Sequence, residues 1–406
     1  MRVLVLTPET PAYPASGGQS RQHCLLEPLA QRHEIRVLST GDRPRFGRLP
    51  VGVDVQFIPP DPLPPAPPGG WLRRNVRRVT SGESFDLHFL RHQYDPIARV
   101  LEAEVERFKP DVVQAEHVHM APLLAMVPPL VATVLVLHNL MWRMSLQGLA
   151  FSDPRELGRA IVEGMLLGRA ERSYLETAAA VVVASDADRR LAERVHGRGR
   201  LYVVPNCIDV GYMRRNAPEA PDPTIIMPAH FGWSPNAAAA RELLDRVLPA
   251  VRGRVAGTQL VLAGRGLTPE LAAAVERTPG ARATGEVEDI RPELHRAWVM
   301  AAPLRTGSGS PIKVMESLAA SVPVVTTGRA LRALGLHPGE GAIAARGPSD
   351  FAAQLASLLR DGERRSDLGR RGAEIAAARF DRQPAAMAQE TVWRDAVTAT
   401  TGLAAK

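Results

Sequence analysis

The sequence predicts an α/β protein made of two successive Rossmann-like domains, each with a parallel sheet covered by helices. Short apolar runs alternate with helical segments along most of the 406 residues, and this alternation is typical of parallel sheets. A polar, proline-rich segment at 216–224 interrupts the alternation, which then starts again. A chain of this length also exceeds the size of one ordinary hydrophobic core, so two domains are expected.

The first half of the chain contains seven predicted strands. Residues 59–70 are mostly proline and glycine, which predicts an extended loop. Residues 120–137 carry no charge and approach the length of a membrane span, about 20 residues, but Pro128 and Pro129 divide them into a helix end and a strand. The predicted strands are 2–6, 34–39, 53–58, 111–114, 131–137, 181–184 and 201–204, and the helices are 20–32, one before Lys109, one ending at Val127, and 154–177.

The second half repeats the pattern after the linker. We expect domain 1 at residues 1–215, domain 2 at 216–384, and a terminal helix at 385–406 that packs back on domain 1, with an active cleft between the domains. The predicted strands are 224–227, 259–263, 282–284, 299–304 and 324–326, and the helices are 235–251, 311–320, 349–360 and most of 364–397.

Composition narrows the class of protein. The net charge is +7, but the arginines are scattered and few aromatic residues lie among them, which argues against nucleic-acid binding. The two cysteines, Cys24 and Cys207, indicate neither a disulfide framework nor a zinc site, so a reducing compartment is expected. No signal peptide is visible, because the first residues form a short strand that ends near Pro8. These features predict a cytoplasmic protein.

The segment 307–316 carries the strongest chemical signal. Ser310 and Pro311 are predicted to begin a helix after a glycine-rich loop, and free backbone N–H groups at a helix N-terminus form an anion site. Lys313 then lies in the first turn, where a cation opposes the helix dipole unless an anion is bound. Glu316 shares its helix face. A cation beside a carboxylate suits a nucleoside diphosphate with its ribose; the alternative is a surface helix with a chance Lys–Glu pair.

Two further glycine-containing turns follow predicted strands. They are 16–21, after the first strand, and 232–236, just after the linker. Each leads into a helix, so each could face an anion. Three such turns at the strand ends of two facing domains indicate a phosphate-bearing ligand in the cleft. No Gly-x-Gly-x-x-Gly motif follows the first strand, which argues against a dinucleotide enzyme.

Several polar residues also follow strands. His138 and Asn139 end the strand 131–137, where they are placed either to contact a ligand or to cap a loop. Asn206 lies in a segment with the residue types of a turn, so local bonding and ligand contact are both open for it. His117 and His119 could be mistaken for metal ligands, but no matching carboxylate pattern accompanies them, and we interpret both as structural.

Taken together, these motifs resemble the retaining GT-B glycosyltransferases of family four, over most of the chain and in order. The tryptophan-x-proline-asparagine turn and the Gly-Ser-Gly-x-x-x-Lys loop are similar to one subgroup of that family. The segments that carry the resemblance are 16–21, 138–139, 173–191, 204–209, 231–236, 285–290, 303–316 and 319–325.

The resemblance implies a GT-B fold and transfer of a sugar from a nucleotide-diphosphate sugar to an acceptor hydroxyl, with retention. It implies an acceptor-binding first domain, a donor-binding second domain, and no metal or other cofactor. The catalytic residues it implies are His138, Lys313 and Glu316. The substrate-binding residues it implies are Gly17, Gly18, Arg21, Asn139, Asn206, Gly232, Ser234, Asn236, Arg265, Val287, Arg305, Gly307, Ser308, Gly309, Ser310 and Ile312.

The chain departs from the family pattern at two places. Ser308 stands where the family has the first of two donor-site glutamates, and Ser234 to Asn236 replace its arginine–lysine pair. Lys313 and Arg305 could supply the missing positive charge. The alternatives are therefore a non-catalytic nucleotide-sugar-binding protein that assists a partner enzyme, and a sugar-nucleotide epimerase.

The proline-rich loop and the arginines after it leave a further choice open. The segment could be a solvated loop, or it could frame an acceptor site or make weak contact with an anionic membrane surface. The sequence does not indicate an oligomeric state. The arginines concerned are Arg73, Arg74, Arg77 and Arg78.

Overall fold

The computed structural model describes residues 1–63, 84–147, 154–197, 200–306 and 310–404. Two parallel β-sheets form the centres of its two halves, which confirms the predicted α/β class. The N-terminal sheet has seven strands in the order β3-β2-β1-β4-β5-β6-β7. Its strands are β1 (Arg2–Thr7), β2 (Glu34–Ser39), β3 (Val53–Phe57), β4 (Val112–Glu116), β5 (Ala132–Leu137), β6 (Ala180–Val183) and β7 (Leu201–Val203).

Burial on both faces explains the apolar composition of the central strands. Val3 to Leu6 of β1 are fully buried, because β2 and β4 flank the strand and helices cover the sheet. The helices of this half are α1 (Gly17–Leu29), α2 (Phe85–Phe108), α3 (Met141–Gln147), α4 (Pro154–Thr177), α5 (Asp186–His196) and α6 (Val210–Met213), with a 3₁₀ helix at Val118–Met126.

The C-terminal sheet has six strands in the order β10-β9-β8-β11-β12-β13. They are β8 (Thr224–Pro228), β9 (Gln259–Ala263), β10 (Ala281–Gly285), β11 (Val299–Ala302), β12 (Val324–Thr326) and β13 (Ala342–Ala344). The helices are α7 (Ser234–Glu242), continued through a π-helical turn at Leu243–Val247 into α8 (Leu248–Arg252), then α9 (Pro269–Arg277), α10 (Arg291–Arg296), α11 (Ile312–Ala319), α12 (Gly328–Ala333), α13 (Pro348–Arg360), α14 (Gly362–Arg379) and α15 (Arg382–Ala404).

The last helix, α15, returns to the N-terminal half and packs against α1 and the middle of that sheet. Gln114 of β4 anchors it, since its side-chain oxygen accepts hydrogen bonds from Trp393 Nε1 at 2.7 Å and Gln389 Nε2 at 3.1 Å. Just before α15, where the chain returns to the N-terminal half, the carbonyl of Phe380 accepts a hydrogen bond from the backbone N–H of Ile208 at 2.9 Å. The buried amide network therefore ties the chain's end to the first sheet.

Two predicted helix starts need correction. The first helix begins at Gly17, not Ser20, because Gln19 Oε1 accepts from the N–H of Ser16 and closes a turn there. The helix after the glycine loop begins at Ile312, with Pro311 as its N-cap in an extended conformation. Ser310 is not the N-cap, since its hydroxyl donates instead to the carbonyl of Ala333 at 3.0 Å.

Parts of two predicted features lie outside the described residues. They are the loop Gly307, Ser308 and Gly309, and most of the proline-rich segment with the four arginines that follow it. Among the helices of the described residues, none combines the length and the apolar composition that crossing a bilayer requires.

Candidate functional site

A cleft of about 530 Å³ lies between the two halves, and its size is typical of a small-molecule site. In each sheet the strand order reverses between two neighbours, β1 and β4 in the first and β8 and β11 in the second. Ligands of open α/β sheets bind at such switch points, beyond the carboxyl ends of the strands. Residues that follow these strands line the cleft from both sides, so the fold itself positions the site.

The N-terminal wall of the cleft is organised around a buried carboxylate–imidazole pair. Glu116, the last residue of β4, lies 2.6 Å from His138 Nε2, just after β5. Gln114 Nε2 donates to the other carboxylate oxygen at 2.6 Å. Burial alone would raise the pKa of Glu116, but the hydrogen bond with His138 outweighs it and lowers that pKa. Burial also lowers the pKa of His138, so a neutral ring beside an ionised carboxylate is expected at neutral pH.

This pairing defines what His138 can offer a ligand. Because ionised Glu116 can only accept, it assigns the proton of the neutral ring to Nε2. Nδ1 is then a hydrogen-bond acceptor, and it would lie 3.5 Å from a Cβ atom at Gly18. His138 can therefore accept a hydrogen bond from a hydroxyl in the cleft.

His117 stacks on this pair from the cleft side. Its ring lies 3.9 Å from that of His138 and 5.6 Å from that of His119, in a nearly parallel stack. Its backbone has φ +69° and ψ 147°, a region where residues other than glycine are strained by about 1–3 kcal/mol. A hydrogen bond from its N–H to the carbonyl of Val136 holds it there. Such strain is common at functional sites, because the surrounding structure must enforce it.

Glu9 completes the N-terminal wall. Its Oε2 lies 3.7 Å from His117 Nε2. Burial alone would raise the pKa of Glu9, but the contact with His117 and the neighbouring histidines lower it to about 2. Burial and the proximity of His117 lower the pKa of His119 to about 3. The protonation states of Glu9 and His119 are therefore fixed across the neutral range.

A chain of hydrogen bonds links this wall to Ser310 of the other half. Arg21, fully buried in α1, donates to Asn206 Oδ1 and to the carbonyl of Val204, each at 2.8 Å. Asn206 Nδ2 in turn donates to the carbonyl of Ser310 at 3.2 Å. Arg21 thus orients Asn206, and Asn206 holds the backbone just after the glycine loop.

The C-terminal wall presents a cation. Lys313, in the first turn of α11, donates from Nζ to Asn236 Oδ1 at 2.7 Å. Asn236 is held in turn, because its Nδ2 donates to the carbonyl of His230 at 2.9 Å. Lys313 therefore faces the cleft between the N-terminal turns of α7 and α11, which both direct backbone N–H groups outward.

The pKa values of Lys313 and Glu316 both lie close to neutral pH. Burial lowers the pKa of Lys313 to about 8, with Glu316 acting in the opposite direction. Burial raises the pKa of Glu316 to about 7, partly offset by Lys313. The hydrogen-bond partner of Lys313 is the neutral amide of Asn236, which does not compensate the cost of burying the ammonium group.

The C-terminal wall also contains an ion pair. Arg265, after β9, lies 3.6 Å from Glu286, and Val287 lines the cleft beside them. The loop after β9 needs glycine at 264, because φ is +135° and a Cβ atom would lie 2.1 Å from the carbonyl oxygen of Ala229. This close approach of the two loops shapes the floor of the cleft.

Among the predicted site residues that the structure describes, most line this cleft, but three do not. Arg305 was expected to neutralise phosphate, yet its guanidinium binds Glu242 at 2.6 and 2.7 Å and lies outside the cleft lining. Gly232 and Ser234 also lie outside the lining, although they flank Trp233, which is part of it. The predicted residues that line the cleft are Gly17, Gly18, Arg21, His138, Asn139, Asn206, Asn236, Arg265, Val287, Ser310, Ile312, Lys313 and Glu316.

Sequence reasoning overlooked three residues of the N-terminal wall. Glu9 and Glu116 were not considered, and His117 was interpreted as structural although it lines the cleft. Their shared signal is position: Glu9 lies two residues after β1, and Glu116 and His117 stand where β4 ends. Within the described residues, no group of three or more histidine, cysteine or acidic side chains is arranged to hold a metal ion.

Two family models match the chain. The model described as Glycosyltransferase Family 4 matches residues 15–212, and the model described as Glycosyl transferases group 1 matches residues 222–361. The two facing parallel-sheet domains and the cleft between them define a GT-B protein. With both matches, which between them span most of the sequence, the chain belongs to the GT-B glycosyltransferases. Comparison with curated proteins by sequence finds no match.

Solved structures share the fold at low sequence identity. A sucrose-phosphate synthase from Thermosynechococcus elongatus superposes with a TM-score of 0.72 at 13% identity, over 98% of this chain and all of that one. HepE from Anabaena, in complex with UDP-glucose, gives 0.65 at 14% identity over 97% and 99%. WaaG, a glycosyltransferase involved in lipopolysaccharide biosynthesis, gives 0.63 at 13% identity over 94% and 98%.

Proposed function

We propose that this protein transfers a hexose from a nucleotide-diphosphate sugar to an acceptor hydroxyl, with retention of anomeric configuration and without a metal ion. The observation that carries the proposal is the position of Lys313. A half-buried ammonium group in the cleft, next to two helix N-termini, supports binding of a diphosphate. Glu316 lies on the same helix, one turn further, where its carboxylate can accept hydrogen bonds from ribose hydroxyls.

The proposed reaction has a defined balance of bonds. The bond between the anomeric carbon and the β-phosphate oxygen breaks, and the acceptor oxygen forms its bond to that carbon on the same face. The acceptor proton passes to the departing phosphate oxygen, so no side chain is required as a general base. Lys313 and the backbone N–H groups of α11 stabilise the charge that develops on the diphosphate. His138 accepts a hydrogen bond from the sugar through Nδ1.

The nature of the structural neighbours supports a uridine nucleotide as the first donor to test. HepE has been captured with UDP, with UDP-glucose, and with UDP and glucose. The cleft of this chain places Lys313 on one wall and polar groups able to bind hydroxyls on the other. We therefore propose a uridine diphosphate sugar as donor and a hydroxylated acceptor.

Thermal unfolding with UDP, GDP, TDP and ADP tests the donor site. A nucleotide at 100 times its dissociation constant should stabilise the protein by about 2.7 kcal/mol. Glu316→Ala should lose most of this stabilisation, because the ribose hydroxyls lose their acceptor. Glu276→Ala, at an exposed position of α9 outside the cleft, is the matched control and should keep it. No stabilisation by any of the four nucleotides would contradict the proposal.

Product analysis tests the reaction itself. Incubation of UDP-glucose with candidate acceptors should release UDP and yield an α-linked product, identified by NMR, at the same rate with and without EDTA. A changed free sugar nucleotide in the absence of acceptor would indicate an epimerase instead. Nucleotide binding without any turnover would favour a non-catalytic binding protein.

A further inference from the structure

On the N-terminal side, two buried polar atoms of residues that line the cleft have no hydrogen-bond partner among the described residues. They are Glu9 Oε2 and His117 Nε2, and both are buried from solvent. Their separation of 3.7 Å is longer than a direct hydrogen bond, which needs about 2.7–3.2 Å. Buried polar groups are nearly always paired, and an unpaired carboxylate oxygen is especially costly. A single small group that donates to one atom and accepts from the other would satisfy both.

The surrounding structure holds this pair in place. The hydroxyl of Thr7 accepts from the N–H of Glu9 at 3.1 Å and donates to its carbonyl at 2.9 Å, which fixes the backbone just after β1. The stack with His138 fixes the ring of His117. Gly18 makes the approach possible, because a Cβ atom there would lie 2.1 Å from Glu9 Oε2. The pair is therefore a built feature of the cleft.

A hydroxyl group has the matching chemistry, since it donates one hydrogen bond and accepts others. It would donate to the carboxylate of Glu9 and accept from the Nε2–H of His117. We infer that Glu9 and His117 form the acceptor subsite and hold a hydroxyl of a neutral polyol or sugar next to the attacking one, an inference that rests on the proposed function. The two residues bind and orient the acceptor through this hydroxyl, and the proton of the attacking hydroxyl still leaves with the diphosphate.

The charges on this wall favour a neutral acceptor. Glu9 and Glu116 place two carboxylates here, and an anionic group on the acceptor close to the reacting hydroxyl would be repelled by Glu9. Arg21 places a positive charge near Glu116, but both its terminal nitrogens are already bound to Asn206 and Val204, so they are not free to bind an anionic group of the acceptor. Arg45, from the loop after β2, also lines the cleft and lies over the ring of Phe46.

Binding of sugars to the Glu9→Gln variant tests the inference. The probes are D-glucose, glycerol and myo-inositol, with glucose 6-phosphate as the anionic counterpart, measured by saturation-transfer NMR with and without UDP. We expect the wild type to bind at least one neutral probe and to bind glucose more tightly than glucose 6-phosphate. Glu9→Gln should weaken neutral-probe binding at least about tenfold, because a charge-assisted hydrogen bond is lost, and leave the Kd of UDP within twofold.

Two further variants separate a binding role from a structural one. Asp42→Asn removes the same charge from an exposed residue outside the cleft lining and should leave all affinities unchanged. His117→Asn should weaken neutral-probe binding like Glu9→Gln, because asparagine tolerates positive φ better than most residues but is too short to reach the hydroxyl. Thermal melting of Glu9→Gln should show a cooperatively folded protein with a lower Tm, because the lowered pKa of Glu9 means that the folded state stabilises its charge.

Three results would overturn the inference. They are equal sugar binding by Glu9→Gln and wild type, tighter binding of glucose 6-phosphate than of glucose, and no binding of any neutral probe. A wild-type protein that binds none of the nucleotides contradicts the proposed function instead. The sugar measurements without UDP still report on Glu9 in that case, so the two failures are distinguishable.

Discussion

The two walls of the cleft differ in how they hold their charges. On the N-terminal wall, Glu116 and Glu9 each lie beside an imidazole, and the pKa of Glu9 is lowered to about 2. On the C-terminal wall, Lys313 has a neutral partner, and burial brings its pKa to about 8 and that of Glu316 to about 7. Glu9 and Glu116 on the first wall therefore stay ionised near neutrality, whereas the second wall responds to pH and to a bound anion.

This difference matches the demands of the two substrates. A hydroxyl acceptor brings no charge, so its site gains from fixed hydrogen-bond partners that need no rearrangement. A diphosphate brings charge, and its arrival restores the pKa of Lys313 towards the ordinary value because opposite charges favour the ionised form. Binding of the donor would thus supply the negative charge that the ammonium group of Lys313 lacks on the C-terminal wall.

The largest expected effect comes from removing the cation. Lys313→Ala should lower kcat/KM for the nucleotide sugar roughly 100-fold or more, because a transition-state charge contact worth about 3 kcal/mol is lost. Lys109→Asn is the matched control, since Lys109 is exposed at the end of α2 with positive φ, which asparagine tolerates. Steady-state kinetics with UDP-glucose measures both. Similar losses in the two variants would contradict the role of Lys313.

Breaking the Glu116–His138 pair on the N-terminal wall should lower kcat less than the loss of Lys313 does, and should leave UDP binding nearly unchanged. Glu116→Gln removes the carboxylate that orients His138, so kcat should fall by about 10- to 100-fold. The Kd of UDP should stay within twofold, because Glu116 lies on the opposite wall from Lys313. Isothermal titration of UDP, together with kinetics, separates these outcomes. A loss of UDP affinity equal to the loss of kcat would show that the walls are not independent.

The C-terminal wall should also make the affinity for the nucleotide sugar depend on pH. Affinity for UDP-glucose should fall below pH about 7, where Glu316 gains a proton, and above about 8, where Lys313 loses one. Glu316→Gln should remove the acidic limb and keep the alkaline one. Titrations between pH 6 and 9 measure this, and a flat wild-type profile would be incompatible with the two shifted pKa values.

The same shifts act on folding, with signs that can be stated. The raised pKa of Glu316 contributes stability below its unfolded value of 4.5, and this is lost as pH rises to about 7. The lowered pKa of Lys313 contributes stability above 10.5, and this is lost as pH falls to about 8. From these two groups, the free energy of unfolding of the unliganded protein is lowest between pH 7 and 8.

The smallest effect is expected at Arg305. Arg305→Gln should change the affinity for UDP by less than twofold, because its guanidinium binds Glu242 and does not line the cleft. The free energy of unfolding should fall by no more than about 1 kcal/mol, as is usual for an exposed ion pair. Chemical denaturation and UDP titration measure the two quantities. A tenfold loss of UDP affinity would restore the sequence-based expectation for this residue.

Local sequence features were sufficient to predict most of the fold. Apolar runs and their punctuation by proline and glycine predicted β1, β2 and β9, and the predicted helix 154–177 coincides with α4. These features are local, because a parallel strand buried on both faces must be apolar along its length. The short β13 was missed, since three residues carry too little periodicity to be recognised.

The sequence by itself determined which residues could meet a phosphate. Lys313 and Glu316 are close in the chain, and helix geometry alone puts them on one face. Only the tertiary structure decided which of the predicted groups face the cleft, because Arg305 is turned away by a glutamate 63 residues distant in sequence. It also brought Glu9, His117 and His138 together, since the carboxyl ends of β1, β4 and β5 meet only when the sheet forms.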